Sequence, residues 1–174
     1  MTTPPFDPVS DADIATVSAQ LGRPARDVVG ISARCACGRP TVVSTSPRLS
    51  DGTPFPTFYY LCHPGATAAV SELEANHVMA EFTQQLDDDE HLREAYRSAH
   101  VAYLADRESM GNVPEIDGVS AGGMPTRVKC LHALVAHSLA AGPGVNPIGD
   151  RALERASWSP EVCTCTFDEV TEES

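Results

Sequence analysis

No run of the roughly 18 or more apolar residues needed to span a membrane occurs in the chain. The opening stretch, MTTPPFDPVSDADIATV, has neither a basic region nor an apolar core, so it does not read as a secretory signal. Basic charge is scarce. Twelve Lys and Arg against 24 Asp and Glu leave a formal net charge of −12, and a nucleic-acid backbone would be repelled over most of such a surface. Broad nucleic-acid binding is therefore not expected, and Arg127 with Lys129 is the obvious local basic pair. Internal repeats and low-complexity tracts are missing too. These absences predict a cytoplasmic protein, where thiols stay reduced. The six cysteines, at positions 35, 37, 62, 130, 163 and 165, are then better explained as ligands, redox groups or core fillers than as a disulfide framework.

What is present suits one domain. With 174 residues, 21% charged and 42% from the AVILMFWYC set, the chain can bury roughly two-thirds of its unfolded surface. Residues 1–9 are expected to be mobile, residues 10–158 to form the globular domain, and residues 159–174 to be a loose acidic tail. Ser10 followed by Asp11 and Asp13 predicts a helix start, with Gly22 and Pro24 ending that helix after about Leu21. DVVGISARC, PTVVSTS and TFYYLC are short, β-branched or aromatic segments that predict three strands. Helices are expected over about Ala66–Leu86, over the DDDEHLREAYRSAHVAYLADRESM segment, and from about Pro125 to Ala141, with a last turn or two at RALERAS. Strands followed by helices predict an α+β fold, a small antiparallel β meander packed against three or four helices.

RCACGRP, Arg34 to Pro40, aims two sulfurs from one turn. Zinc takes four thiolate or imidazole donors on a tetrahedron, and Gly38 lets the backbone turn tightly beside Cys35 and Cys37. Redox exchange between this pair is disfavoured, because the usual redox motif places two residues between its thiols. The further ligands must come from distant segments. Cys62 and His63 close a strand on which neighbours point to opposite faces, so one of the two is expected to face the turn. Cys130 sits early in the third helix, where the helix dipole favours a thiolate. His132, two residues on, would lie about 200° around that helix, on a core-like stripe with Val128, Val135 and Leu139. The expected ligand set is Cys35, Cys37, His63 or Cys62, and Cys130. An iron–sulfur cluster on Cys35, Cys37, Cys62 and Cys130 is the alternative cofactor. Cys163 and Cys165 form a second Cys-x-Cys that competes for the role: the two Cys-x-Cys turns together would make a four-thiolate site that clips the tail to the meander, although the flanks of the second pair look poorly ordered.

A second constellation surrounds the third helix. Gly122-Gly123 with Arg127 and Lys129 offers donors to an anion, and Asn146 and Asp150 lie on the turn-rich GPGVNPIGD loop. His132 or His137, with Asp150, would suit proton transfer near neutral pH, and His100 is placed to meet either histidine across a helix pair.

RCACGRP, PRLSDGTPFPTFYYLCHP, SAGGMPTRVKCLH and AAGPGVNPIGD together resemble an uncharacterised actinobacterial family, the domain of unknown function 501, over roughly residues 22–155. That family often shows cysteine before the strand-ending proline, where this chain has His63 after Cys62. A cysteine-to-histidine exchange suits a metal ligand. The resemblance implies a cytoplasmic protein, commonly encoded near a cell-division initiator and a polyphosphatase-like phosphatase, and brings no activity with it. Two functions follow from the residues. One is a zinc site that ties the meander to the third helix as a scaffold. The other is a metal-assisted hydrolase for a phosphorylated or other anionic substrate, with Arg127, Lys129 and Asn146 binding it and His132, His137 and Asp150 acting on it. An adaptor for a cell-division or phosphate-metabolism partner is a third expectation.

Overall fold

The computed structural model describes residues 6–165. Helix α1 (Asp11–Leu21) opens on the capping box that its sequence predicts. Ser10 Oγ accepts the Asp13 N–H, the Asp13 carboxylate accepts the Ser10 N–H, and Gly22 ends the helix at φ 70°. Strands β1 (Val28–Arg34), β2 (Pro40–Thr45) and β3 (Tyr59–Leu61) form an antiparallel meander in sequence order. The free edge of β1 is covered by Asp7, which exchanges backbone hydrogen bonds with Ile31 at 2.8 and 2.9 Å. Phe6 lies so close to Gly30 that any side chain there would collide with its ring. Residues 6 and 7 are thus packed, while the rest of the expected mobile start, residues 1–5, lies outside the described residues.

Every residue of β2 is buried, because both faces of the sheet are covered. On one face Val17 of α1 packs with Ile31, Val43 and Cys62. On the other, Val42, Tyr59 and Leu61 join the main core with helices α2 (Pro64–Ala75), α3 (Val78–Asp88), α4 (Glu90–Glu108), α5 (Leu131–Ala141) and α6 (Pro147–Arg155). A short 3₁₀ turn, Pro114–Ile116, follows α4. The fold is α+β, as the order of strands and helices predicts.

Three helices depart from their expected limits, α6 by starting at Pro147 within the segment expected as a turn-rich loop. The helix expected over 66–86 is broken between α2 and α3, where His77 takes a left-handed conformation at φ 61°. Histidine is among the few side chains that tolerate that region. The third expected helix starts at Leu131 rather than near Pro125. The intervening chain is held as turns instead, since the Gly122 carbonyl accepts the Lys129 N–H at 2.7 Å and the Gly123 carbonyl accepts the Arg127 N–H at 3.1 Å.

Helix α4 carries the predicted stripe of Leu92, Tyr96, Ala99 and Tyr103, all buried, and ends in buried Arg107. The Arg107 guanidinium donates to the carbonyls of Pro56, Val119 and Ile116 at 2.6–3.0 Å. A buried cation is tolerable only when its donors are so matched.

Candidate metal centre

The β1–β2 turn is tight. Cys35 N–H donates to the Arg39 carbonyl and Gly38 N–H to the Cys35 carbonyl, both at 2.8 Å, with Gly38 at φ 91°. Arg34 braces it from α1 through two nitrogens on the Asp13 carboxylate at 2.8 and 3.1 Å, while donating to the Gly38 carbonyl at 3.0 Å. The guanidinium holds Asp13 well below the usual carboxylate range. Cys35 and Cys37 therefore project from a braced hairpin end, as the Cys-x-Cys-Gly motif predicts.

The chain returns to this turn after α6. Ala36 N–H donates to the Pro160 carbonyl at 3.1 Å, and Cys163 and Cys165 come to lie beside Cys35 and Cys37. Their four sulfurs are all within 4.8 Å of one another. Cys165 Sγ is 3.6 Å from Cys37 Sγ and 3.8 Å from Cys35 Sγ. Residues 159–165, expected as part of a loose tail, are thus engaged in the site, and residues 166–174 lie outside the described residues. All six cysteines are free thiols.

The electrostatics divide the four sulfurs. Cys37 is pulled down to about 7, chiefly by the Arg39 backbone N–H directed at it. Cys165 is pushed up to about 12 by burial and by the other thiols around it, and burial raises Cys35. Cys37 thus ionises more readily than Cys35 and Cys165.

His63 is beside the centre but turns a protonated ring nitrogen toward it. Its Nδ1 accepts the Gly65 and Ala66 N–H groups at 3.1 and 3.3 Å, capping α2, so the ring proton belongs on Nε2. That Nε2–H points at Cys165 Sγ, 3.0 Å away, where it donates to sulfur. A hydrogen bond of this kind orients the sulfur, as outer-shell contacts orient the ligands of a metal site. Cys62 points to the other face of its strand, buried among Val17, Ile31 and Val43, with its sulfur 3.6 Å from the Pro40 carbonyl. Burial pushes its thiol up to about 12. The strand alternation separates the two as expected, and neither joins the four sulfurs.

Cys130 lies elsewhere. It is the residue before α5, in an extended conformation at φ −149° and ψ 109°. The 200° separation from His132 expected within a helix therefore does not apply, and the two side chains meet. With Glu74 from the last turn of α2 they form a second cluster, one donor from each within 4.8 Å of the others. Cys130 is lowered by its hydrogen bond to His132, and His132 is raised to about 9, first by Cys130 and then, against the effect of burial, by Glu74.

The other sequence candidates have structural partners. His137 is fully buried, stacked on Tyr59 and edge-on to Tyr103, with Nδ1 accepting from Asn146 Nδ2 at 3.1 Å. Asn146 Oδ1 accepts the Gly149 N–H and so caps α6. The Asp150 carboxylate accepts the Gly144 N–H at 2.9 Å, closing the GPGVNP loop. His100 meets neither His132 nor His137 and instead hydrogen-bonds Ser120 at 2.7 Å. Arg127 and Lys129 are exposed, and the Gly122-Gly123 pair is required by packing against Leu134 and the Arg127 carbonyl.

No helix among the described residues is long and apolar enough to cross a membrane. No curated protein and no solved structure matches the chain. One family model does match, over residues 31–154, a span that includes Cys35, Cys37, Glu74, Cys130 and His132 and ends before Cys163. With most of its length so matched, the chain belongs to the family described as Protein of unknown function (DUF501).

Proposed function

We propose that this is a cytoplasmic metal-binding protein in which Cys35, Cys37, Cys163 and Cys165 hold one zinc ion that fastens the segment after α6 to the β1–β2 turn. The observation that carries this reading is the spacing of the sulfurs. A tetrahedron with zinc–sulfur bonds of about 2.3 Å has edges of about 3.8 Å; Cys165 stands 3.6 and 3.8 Å from Cys37 and Cys35, and all four sulfurs lie within 4.8 Å of one another. An iron–sulfur cluster, with several irons between its thiolates, needs them further apart. The donor set is closed, with four protein sulfurs and no position left for substrate, which is the pattern of a structural centre. Zinc polarises no substrate in such a site; it cross-links the chain.

Elemental analysis of protein purified without added metal tests the reading. Cys37→Ser and Cys165→Ser are each expected to lose one equivalent of zinc and to melt at a lower temperature than the parent chain. Unchanged metal content and an unchanged melting temperature in both variants would remove the centre. Iron, or a visible thiolate-to-iron absorption band, would replace zinc with a different metal.

A further inference from the structure

The cluster of Glu74, Cys130 and His132 shares no residue with the four-sulfur centre. We propose that these three side chains form a second divalent-cation site, suited to zinc, whose remaining coordination position faces the cavity beside β3 and α5. The donors are one sulfur, one nitrogen and one carboxylate oxygen, a set that fits a borderline-soft ion.

The orientation of His132 carries the argument. Its Nε2 is 3.3 Å from the Thr67 carbonyl and 3.1 Å from Ser71 Oγ. A carbonyl only accepts, so Nε2 bears a proton, and in the neutral ring the Nδ1 lone pair faces Glu74 Oε1 at 3.1 Å. Two lone pairs at that separation repel unless a positive charge lies between them, and Cys130 adds a third donor to the same point. A proton on Nδ1 answers to one partner at a time; a metal ion answers to all three at once. The surroundings match those of ligating residues. A backbone carbonyl fixes the histidine tautomer, and Glu74 Oε1 is held by the Leu131 N–H at 2.8 Å.

The site differs from the four-sulfur centre in being open. His132 and Glu74 side chains remain 27% and 24% exposed. Cys130 and His132 line a cavity of about 360 Å³ together with Thr57, Tyr59, Tyr60 and Leu61. Three protein donors with the fourth position toward a cavity is the arrangement that keeps a water or a small anion on the metal. The second site is therefore an exchangeable Lewis-acid centre, where the first is a clasp.

Zinc stoichiometry and cobalt spectroscopy on the full chain test this. The parent chain is expected to bind two zinc ions, Cys37→Ser one, and Glu74→Gln or His132→Gln also one. Glu74→Gln keeps an oxygen for the Leu131 N–H, so its loss of metal is not a loss of fold. Zinc affinity at this site should fall at least about tenfold in that variant. In cobalt-loaded Cys37→Ser protein, azide should shift the visible bands, showing an exchangeable position, and the shift should vanish when His132→Gln is added. Two zinc ions retained in both Glu74→Gln and His132→Gln would overturn the proposal, as would bands indifferent to azide. So would zinc-independent alkylation of Cys130 by iodoacetamide, which would make the trio a thiolate–imidazolium pair. None of these results bears on the four-sulfur centre, whose loss is read from Cys37→Ser.

Discussion

His137 lies between two tyrosine rings, 5.7 Å from Tyr59 and nearly parallel to it, and 5.1 Å from Tyr103 and perpendicular to it. Burial pushes its pKa down to about 4, and the Asn146 amide further favours the neutral ring by donating to Nδ1. The unfolded chain, with an ordinary histidine near 6.5, binds a proton that the folded chain refuses between pH 6.5 and about 4. The stability His137 contributes is thus fully present above 6.5 and is lost as the pH falls through that window. His137→Gln, which does not titrate, should lose roughly 2 kcal/mol less than the parent between pH 7 and 4.5. Denaturant titrations at the two pH values measure this, and parallel losses in the two proteins would show that the imidazole does not govern it. In the sequence His137 was legible only as a candidate for proton transfer with Asp150. Its burial depends on Tyr59 and Tyr103 arriving from β3 and α4, which no local pattern announces.

Helix α1 was fully legible because everything that determines it is local: an N-cap hydroxyl, two acids in the first turn and a glycine at the end. The buried stripe of α4 was legible for the same reason. The break at Asn76–His77 was not, since nothing in the apolar spacing from Val70 to Phe82 marks a left-handed residue between them. The late start of α5 was hidden by a helix-compatible sequence whose hydrogen bonds go to Gly122 and Gly123 instead. That displacement mattered, because it released Cys130 from the helix and let it reach His132. The close approach of α5 and α6 is set by Gly149, where an added methyl would meet the Leu134 carbonyl and Ser138 Oγ. Gly149→Ala should destabilise the fold by about 1–3 kcal/mol, as overpacking does, despite the better helix propensity of alanine. A stability equal to or above the parent's would mean the two helices can separate freely.

Half of the four-sulfur centre was visible from Cys35, Cys37 and Gly38, and its pairing with the second Cys-x-Cys was legible as an alternative to a set completed by Cys130. The other half was present as an equal motif, but its polar and acidic neighbours gave no sign of structure, and its partner lay 128 residues away. Proximity of that kind comes from the path of α5 and α6 back toward the sheet, a property of the whole chain. With zinc in this centre as proposed, removing it with a chelator should leave the helical core folded while freeing the segment after Trp158. Faster amide exchange confined to residues around 33–40 and 158–165 is the expected outcome, and protection unchanged there would mean that packing alone holds the segment. The same separation sets an order of events during synthesis. Cys35 and Cys37 leave the ribosome before Cys163 and Cys165 are made, so a nascent chain presents half of the proposed binding site while the residues between Cys37 and Cys163 are added. Tight loading of the proposed zinc must wait until the helices have carried the second pair home, which would make the ion a witness that these two distant segments have met.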